Sequence, residues 1–233
     1  MTAIAGIVFD KDGTLFDFAA TWEACAQSFL QRLCEGDRAR AERAGAAIGF
    51  DLAAGRFARD SVVIAGTPGE VAHALAPSFP DRAEAEILAL INDEAVSAPQ
   101  QPAVALDPLL RGLRARGLRL GVATNDAEAP ARAHLDAAGV TGLFDFVAGF
   151  DSGHGGKPAP GQLLAFAAAC GIDPAACVMV GDSLHDLRAG RAAGMGCLGV
   201  LTGLATRGDL SPLADAVLPD IGHLPAWLDA RGG

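Results

Sequence analysis

The sequence predicts an α/β protein, a doubly wound parallel sheet with an inserted helical cap domain. Three observations predict it. Short Val-, Leu- and Ile-rich runs alternate with helical segments from residue 107 onward, the rhythm of strands buried on both faces and joined by right-handed crossovers. A first run of the same kind, IAGIVF at 4–9, is separated from the others by roughly eighty residues of helical text, too long for a loop in a compact domain. Polar clusters fall just past the ends of four of these runs, where open parallel sheets bind ligands.

Residues 4–9 read as a short buried strand that runs out into D10-K-D12-G-T. From Phe18 to about Ser97 the text is rich in Ala, Arg and Glu, and Trp22, Cys25, Phe29 and Leu33 recur at helical spacing, a core-facing stripe. EAEILALINDEAV at 84–96 is a second strong helix, and SVVIAG at 61–66 is the sole strand-like run in this stretch. Pro99, Pro102 and Pro108 then mark a stiff linker. Beyond it, helices at 107–116, 127–138, 160–170 and 184–193 precede strands at 118–123, 144–149, 177–181 and 197–201, respectively. This divides the chain into a core of 1–16 and 100–233 and a helical cap of 17–99.

Bulk composition narrows the function. Of 233 residues, 51% are hydrophobic, enough for a substantial core, and the net charge is −10. Such a chain lacks the basic face of a nucleic-acid binder, and an anionic substrate needs local positive charge. Five cysteines without a C-x-x-C pair read as small buried hydrophobes of a reducing compartment. MTAIAGIVF has no basic residue ahead of its apolar run, and no stretch approaches a membrane span. A cytoplasmic protein, monomer or homodimer, is expected. Lysine occurs only at 11 and 157, both in Gly- or Asp-rich loops of a chain that otherwise uses arginine. A compact point charge at those two places explains the choice.

The four clusters are D10-K-D12-G-T, T124-N125-D126, D151 with G-H-G-G-K157-P, and D182-S-L-H-D186. Gathered at one rim, Asp10, Asp12 and Asp182 would be intolerable without a cation among them. Hard oxygen ligands with room for a phosphate describe Mg²⁺. The chemistry that fits is phosphoryl transfer. A carboxylate attacks phosphorus, Lys157 and the hydroxyl of Thr124 hold phosphoryl oxygens, and Asp12 serves as general acid and then general base. Gly13 and Asn125, in the same loops, join Thr124 and Lys157 as candidates for substrate binding. Other motifs fail on spacing: Gly13 is fourth, not sixth, for a Ca²⁺ loop, Lys157 is followed by proline where a phosphate-binding P-loop needs Ser or Thr, and GHGG does not open a helix behind a strand.

These four motifs, DKDGT at 10–14, VATN at 122–125, GGKPAP at 155–160 and GDSLHD at 181–186, followed by AGM at 193–195, resemble those of the haloacid dehalogenase superfamily of phosphohydrolases, whose core is Rossmann-like. The resemblance spans the whole core, in order. It implies Asp10 as a nucleophile forming an aspartyl-phosphate and Asp12 as acid/base. It implies Thr124 and Lys157 on the phosphate. It places Asp10, the backbone carbonyl of Asp12 and Asp182 on Mg²⁺, supported by Asp186. The helical insertion resembles the family's first cap type. Asp12 stands where dehalogenases lack a carboxylate, and the overall look is similar to the phosphoglycolate phosphatase branch, although FDFAATW at 16–22 departs from it.

The expected activity is therefore Mg²⁺-dependent hydrolysis of a small phosphate monoester, phosphoglycolate or a similar metabolite. A phosphosugar mutase or a non-catalytic binding protein on the same scaffold remain as alternatives. In the cap, Phe18 and Trp22 either shape the pocket or pack the core. Arg56 and Arg59 either reach a substrate carboxylate or lie on a solvated face. His185 reads as structural or solvated, and His154, in the glycine loop, either touches the leaving group or has no specific role.

Overall fold

The computed structural model describes residues 3–232. Strand β1 (Gly6–Phe9) leads into α1 (Phe18–Leu33), α2 (Arg38–Ala47), a small antiparallel ribbon of β2 (Phe50–Asp51) and β3 (Arg56–Phe57), and then α3 (Val62–Ala65), α4 (Pro68–Leu75) and α5 (Glu84–Val96). The remainder alternates: α6 (Leu106–Ala115), β4 (Arg119–Ala123), α7 (Glu128–Ala137), β5 (Phe146–Ala148), α8 (Gly161–Cys170), β6 (Cys177–Gly181), α9 (Leu184–Ala192), β7 (Gly196–Val200), α10 (Arg207–Leu210), β8 (Ala216–Leu218) and α11 (Leu224–Gly232).

Six strands form one parallel sheet in the order β5-β4-β1-β6-β7-β8. Alternate side chains explain its two covered faces. Ile7, Phe9, Leu120, Val122, Val178 and Val180 point to one side, against Leu110 and Leu113 of α6, Leu135 of α7 and Leu224 of α11. Val8, Ala123 and Met179 point to the other, against Leu163 and Phe166 of α8 and Ala189 of α9. Gly121 is required there, because a Cβ would stand 2.5 Å from the Phe166 ring.

The helical segment has a third core of its own, built from Phe29, Leu30, Phe50, Leu75, Phe79 and Ile87. The chain leaves and re-enters the sheet layer side by side. Asp17 N donates to Gln101 O at 2.8 Å and Ala103 N to Leu15 O at 2.9 Å. Side-chain caps start α1, α2 and α4: Asp17 on Ala20 N, Asp37 on Arg40 N, and Thr67 with Glu70 in a capping box.

SVVIAG is not a strand. Ser61 accepts from Val63 N and starts the one-turn helix α3, which Gly66 ends, so capping outweighs β propensity. The ribbon β2–β3 and the last strand β8 carry two or three residues each, too few for a periodic signal. Four cysteines are buried, Cys170 is half-buried, and all five are free. No helix among the described residues is long and apolar enough to cross a membrane.

Candidate active site

Parallel register sets the site. Phe9 is level with Val122 of β4 and Val180 of β6, so Asp10 emerges at the rim and Thr124 and Asp182 follow one residue further along their strands. Asp10 N is held by Val180 O at 2.9 Å and Thr124 N by Ala148 O at 3.0 Å. Lys157 arrives from the loop between β5 and α8. Its Nζ lies 2.5 Å from Asp10 Oδ1 and 2.6 Å from Asp186 Oδ1. Carboxylate oxygens of Asp10, Asp182 and Asp186 lie within 4.8 Å of one another, and all three residues are buried.

Asp186 sits in the first turn of α9, where its Oδ2 accepts from Ser183 N and Oγ at 3.0 and 2.7 Å. This capping box leaves Oδ1 for Lys157. Asn125 locks the lysine loop from both sides: Lys157 N donates to Asn125 Oδ1 at 2.7 Å, and Asn125 Nδ2 donates to Lys157 O at 2.8 Å. The same amide nitrogen donates to Ala65 O of the helical insert at 2.8 Å. Gly13 holds φ +84°, and a Cβ there would lie 2.5 Å from the Asp182 carboxylate; one on Gly203 would lie closer still. The two glycines therefore make a cradle that no other residue fits.

Three carboxylates face one ammonium. Burial pushes Asp10 up to about 7, with the Asp186 charge adding to it and Lys157 opposing it. Burial, then the charges of Asp10 and Asp186, hold Asp182 well above the ordinary carboxylate range. Burial works to lower Lys157, yet Asp10 and Asp186 beside it raise it above an ordinary lysine. Fully ionised, the three carboxylates exceed the one ammonium by two charges, and a hard divalent cation such as Mg²⁺ fits both that charge and the all-oxygen donor set.

Asp12 stands apart from that cluster. Its carboxylate is 2.8 Å from Lys11 Nζ. Lys11 is fully buried and also approaches Asp126 Oδ2 at 3.2 Å and His134 Nδ1 at 2.8 Å. His134 Nε2 is 2.6 Å from Ala95 O. A carbonyl only accepts, so Nε2 carries the proton and Nδ1 accepts from Lys11. Burial and the Lys11 charge accordingly hold His134 down at about 4. Burial works to lower Lys11, but the Asp12 and Asp126 charges raise it above an ordinary lysine. The Trp22 ring covers the ammonium, 5.5 Å from its centroid. Sequence reasoning singled out Lys11 for its rarity but gave it no role, and it missed His134, which reads in sequence as an unremarked position on an amphipathic helix.

A cavity of about 110 Å³ lies between the sheet rim and the helical insert. Asp10, Asp12, Thr124, Asn125, Lys157, Asp182 and Asp186 line it from the sheet side, and Phe18 and Trp22 from the insert. Gly13 lies below the lining, against Asp182. Arg56 and Arg59 are not among its described lining residues. Both are exposed, and Arg59 instead pairs with Asp209 at 3.0 Å. The expectation that they reach a substrate carboxylate is corrected accordingly: the β2–β3 ribbon turns Phe57 inward and Arg56 outward. His185 lines the cavity, whereas His154 is exposed.

Several known proteins resemble this chain in sequence or in fold. The haloacid dehalogenase-like hydrolase family matches residues 4–194. The chain is 35% identical over 158 residues to the probable phosphatase IndB of Dickeya dadantii, covering 60% of this chain and 69% of that protein. It is 31% identical over 203 residues to a phosphoglycolate phosphatase of Xylella fastidiosa, covering 87% and 82%. A crystal structure of a putative haloacid dehalogenase-like hydrolase from Bacteroides fragilis superposes with a TM-score of 0.73 at 21% identity, over 95% of this chain and 99% of that one.

Proposed function

The chain belongs to the haloacid dehalogenase-like hydrolases, and from that membership we propose that it hydrolyses a small phosphate monoester by way of a phosphorylated Asp10. The observation that carries the reading is the convergence of Asp10, Asp182 and Asp186 on Lys157 at one sheet rim beneath a helical layer.

Asp10, Asp182 and Asp186 are the residues that would hold Mg²⁺, which when bound offsets the negative charge of carboxylate and phosphate so that the two can approach. An Asp10 oxygen attacks phosphorus, and the bond to the leaving alcohol oxygen breaks. Asp12 gives that oxygen its proton. Lys157 and the Thr124 hydroxyl hold the oxygens of the transferred group, and Asn125 fixes the lysine loop. Water then attacks the aspartyl-phosphate and gives its proton to Asp12. Inorganic phosphate leaves and Asp10 is regenerated. Residues 17–99 act as a cap that keeps bulk water from the first step.

Phosphate release from a panel of small monoesters tests this. Release is expected with Mg²⁺ and not with a chelator, and Asp10→Asn is expected to lower it at least a thousandfold with an unchanged circular dichroism spectrum. Near-normal turnover by Asp10→Asn would overturn the nucleophile assignment.

A further inference from the structure

The cavity wall beyond the carboxylates is apolar in a way that the reaction does not require. Phe18, Trp22, Phe29, Phe57, Ile64 and Ile91 form it, with the Phe18 and Phe57 rings packed edge to face at 5.8 Å. A phosphorylated acid such as phosphoglycolate needs a cation for its second anionic group. Among the described lining residues Lys157 is the only Lys or Arg, and it is already shared by Asp10 and Asp186. His185 lies on the sheet side, next to Asp186 in the first turn of α9. On the insert side the charged lining group is Glu94, an anion paired with Arg32, whose own side chain is largely exposed. A carboxylate placed there meets like charge and apolar surface.

A sugar fares no better. Its hydroxyls need partners, and the insert wall offers few. The Cys25 thiol is a weak donor, Glu94 is paired with Arg32, and Ala65 O and Ala95 O each already accept one hydrogen bond, from Asn125 and His134.

We propose that the alcohol half of the substrate is apolar, so that this chain acts on a small alkyl or aryl phosphate and discriminates against phosphorylated acids and sugars. The inference rests on the phosphatase reading above and adds the chemical class of the leaving group. Burying hydrocarbon against Phe18, Phe57 and Ile64 favours the longer chain by up to about fourfold per methylene, until the cavity is full.

The test compares size-matched monoesters with the Mg²⁺-loaded protein. Propyl phosphate and phosphoglycolate have nearly the same shape and differ in the carboxylate. The expected kcat/KM is at least tenfold higher for propyl phosphate, and it rises from ethyl through butyl phosphate. Faster turnover of phosphoglycolate or of a hexose phosphate, or no dependence on chain length, overturns the inference while leaving the phosphatase reading intact. Binding of propylphosphonate and phosphonoacetate, measured by calorimetry, keeps the two readings apart. If no ester is hydrolysed, the phosphatase reading fails. Tighter binding of propylphosphonate, with a negative heat-capacity change, still supports the apolar chamber, and the reverse order overturns it.

Discussion

At the scale of single residues, Lys11 makes the sharpest demand on the sequence. Its ammonium hydrogen-bonds to Asp12 and His134 Nδ1 and pairs with the Asp126 carboxylate at 3.2 Å. Lys11→Met keeps the volume and removes the charge. The buried Asp126 and half-buried Asp12 carboxylates then face each other with no cation, and loss of one partner of a buried ion cluster costs roughly 3–5 kcal/mol. Urea denaturation with Mg²⁺ present measures this; a variant as stable as the parent would mean that the cluster is not closed in solution. Catalysis supplies a second reading. If Lys11 positions Asp12 as the leaving-group acid, Lys11→Met slows esters of poorly acidic alcohols more than aryl esters with acidic leaving groups. A purely structural loss would slow both alike. Gly13→Ala is the complementary case: φ +84° and a Cβ 2.5 Å from the Asp182 carboxylate push on a proposed metal ligand. Its Mg²⁺ requirement is expected to rise at least tenfold at unchanged kcat under saturating metal.

At the scale of elements, the four carboxylate- and lysine-bearing turns were legible because each follows a strand whose apolar text is unambiguous. CVMVG at 177–181 matches β6 residue for residue, and the three other strands predicted beyond the linker moved by one or two residues at their ends. What stayed illegible is instructive. Ser61 turns an apolar run into a helical turn through one hydrogen bond, a local contact that outweighs periodicity over so short a run. Arg56 and Phe57 alternate across a two-residue strand, so the sequence alone left open which of them faced the site. His134 became part of the site because α7 packs against α5 and brings Ala95 O to its ring, a tertiary pairing with no sequence signature.

The cluster at the strand ends also fixes a pH dependence. Asp10 is raised to about 7 in the folded chain and returns to the ordinary carboxylate value of about 3.9 on unfolding. Between those values the folded state binds more protons than the unfolded state, so metal-free stability is full below about pH 4 and falls as pH rises toward 7. His134 slopes the other way: held at about 4 against an ordinary 6.5, it contributes stability that is present above pH 6.5 and lost as pH falls toward 4. If the three carboxylates hold Mg²⁺ as proposed, the metal acts on them and leaves His134 untouched. The gap in Tm between Mg²⁺-loaded and chelator-treated protein is therefore expected to widen from pH 5 to pH 8. A gap that narrows over this range would show that the three carboxylates do not hold the metal.

At the scale of the whole molecule, charge sets how substrate arrives. The chain carries a net charge of −10, and a phosphate ester approaches it as an anion. With the divalent ion in place, the three carboxylates and Lys157 are close to neutral as a group, so no local positive field compensates for the global one at long range. Association is therefore expected to be slowed by repulsion and relieved by salt, since the screening length falls from about 30 Å at 0.01 M to about 8 Å at 0.15 M. At saturating Mg²⁺, kcat/KM is expected to rise severalfold across that range of NaCl while kcat stays constant, because the buried contacts of Lys157 are little screened. A kcat/KM that falls with salt would place an attracting patch near the cavity mouth. The exposed pair of Arg59 and Asp209 is the test within the test. An exposed ion pair is worth about 0–1 kcal/mol, and neither partner lines the cavity. Arg59→Ala is expected to leave kcat and KM for every ester, phosphoglycolate included, within twofold of the parent. A selective loss on phosphoglycolate would return Arg59 to the site and put a cation where the apolar wall leaves none.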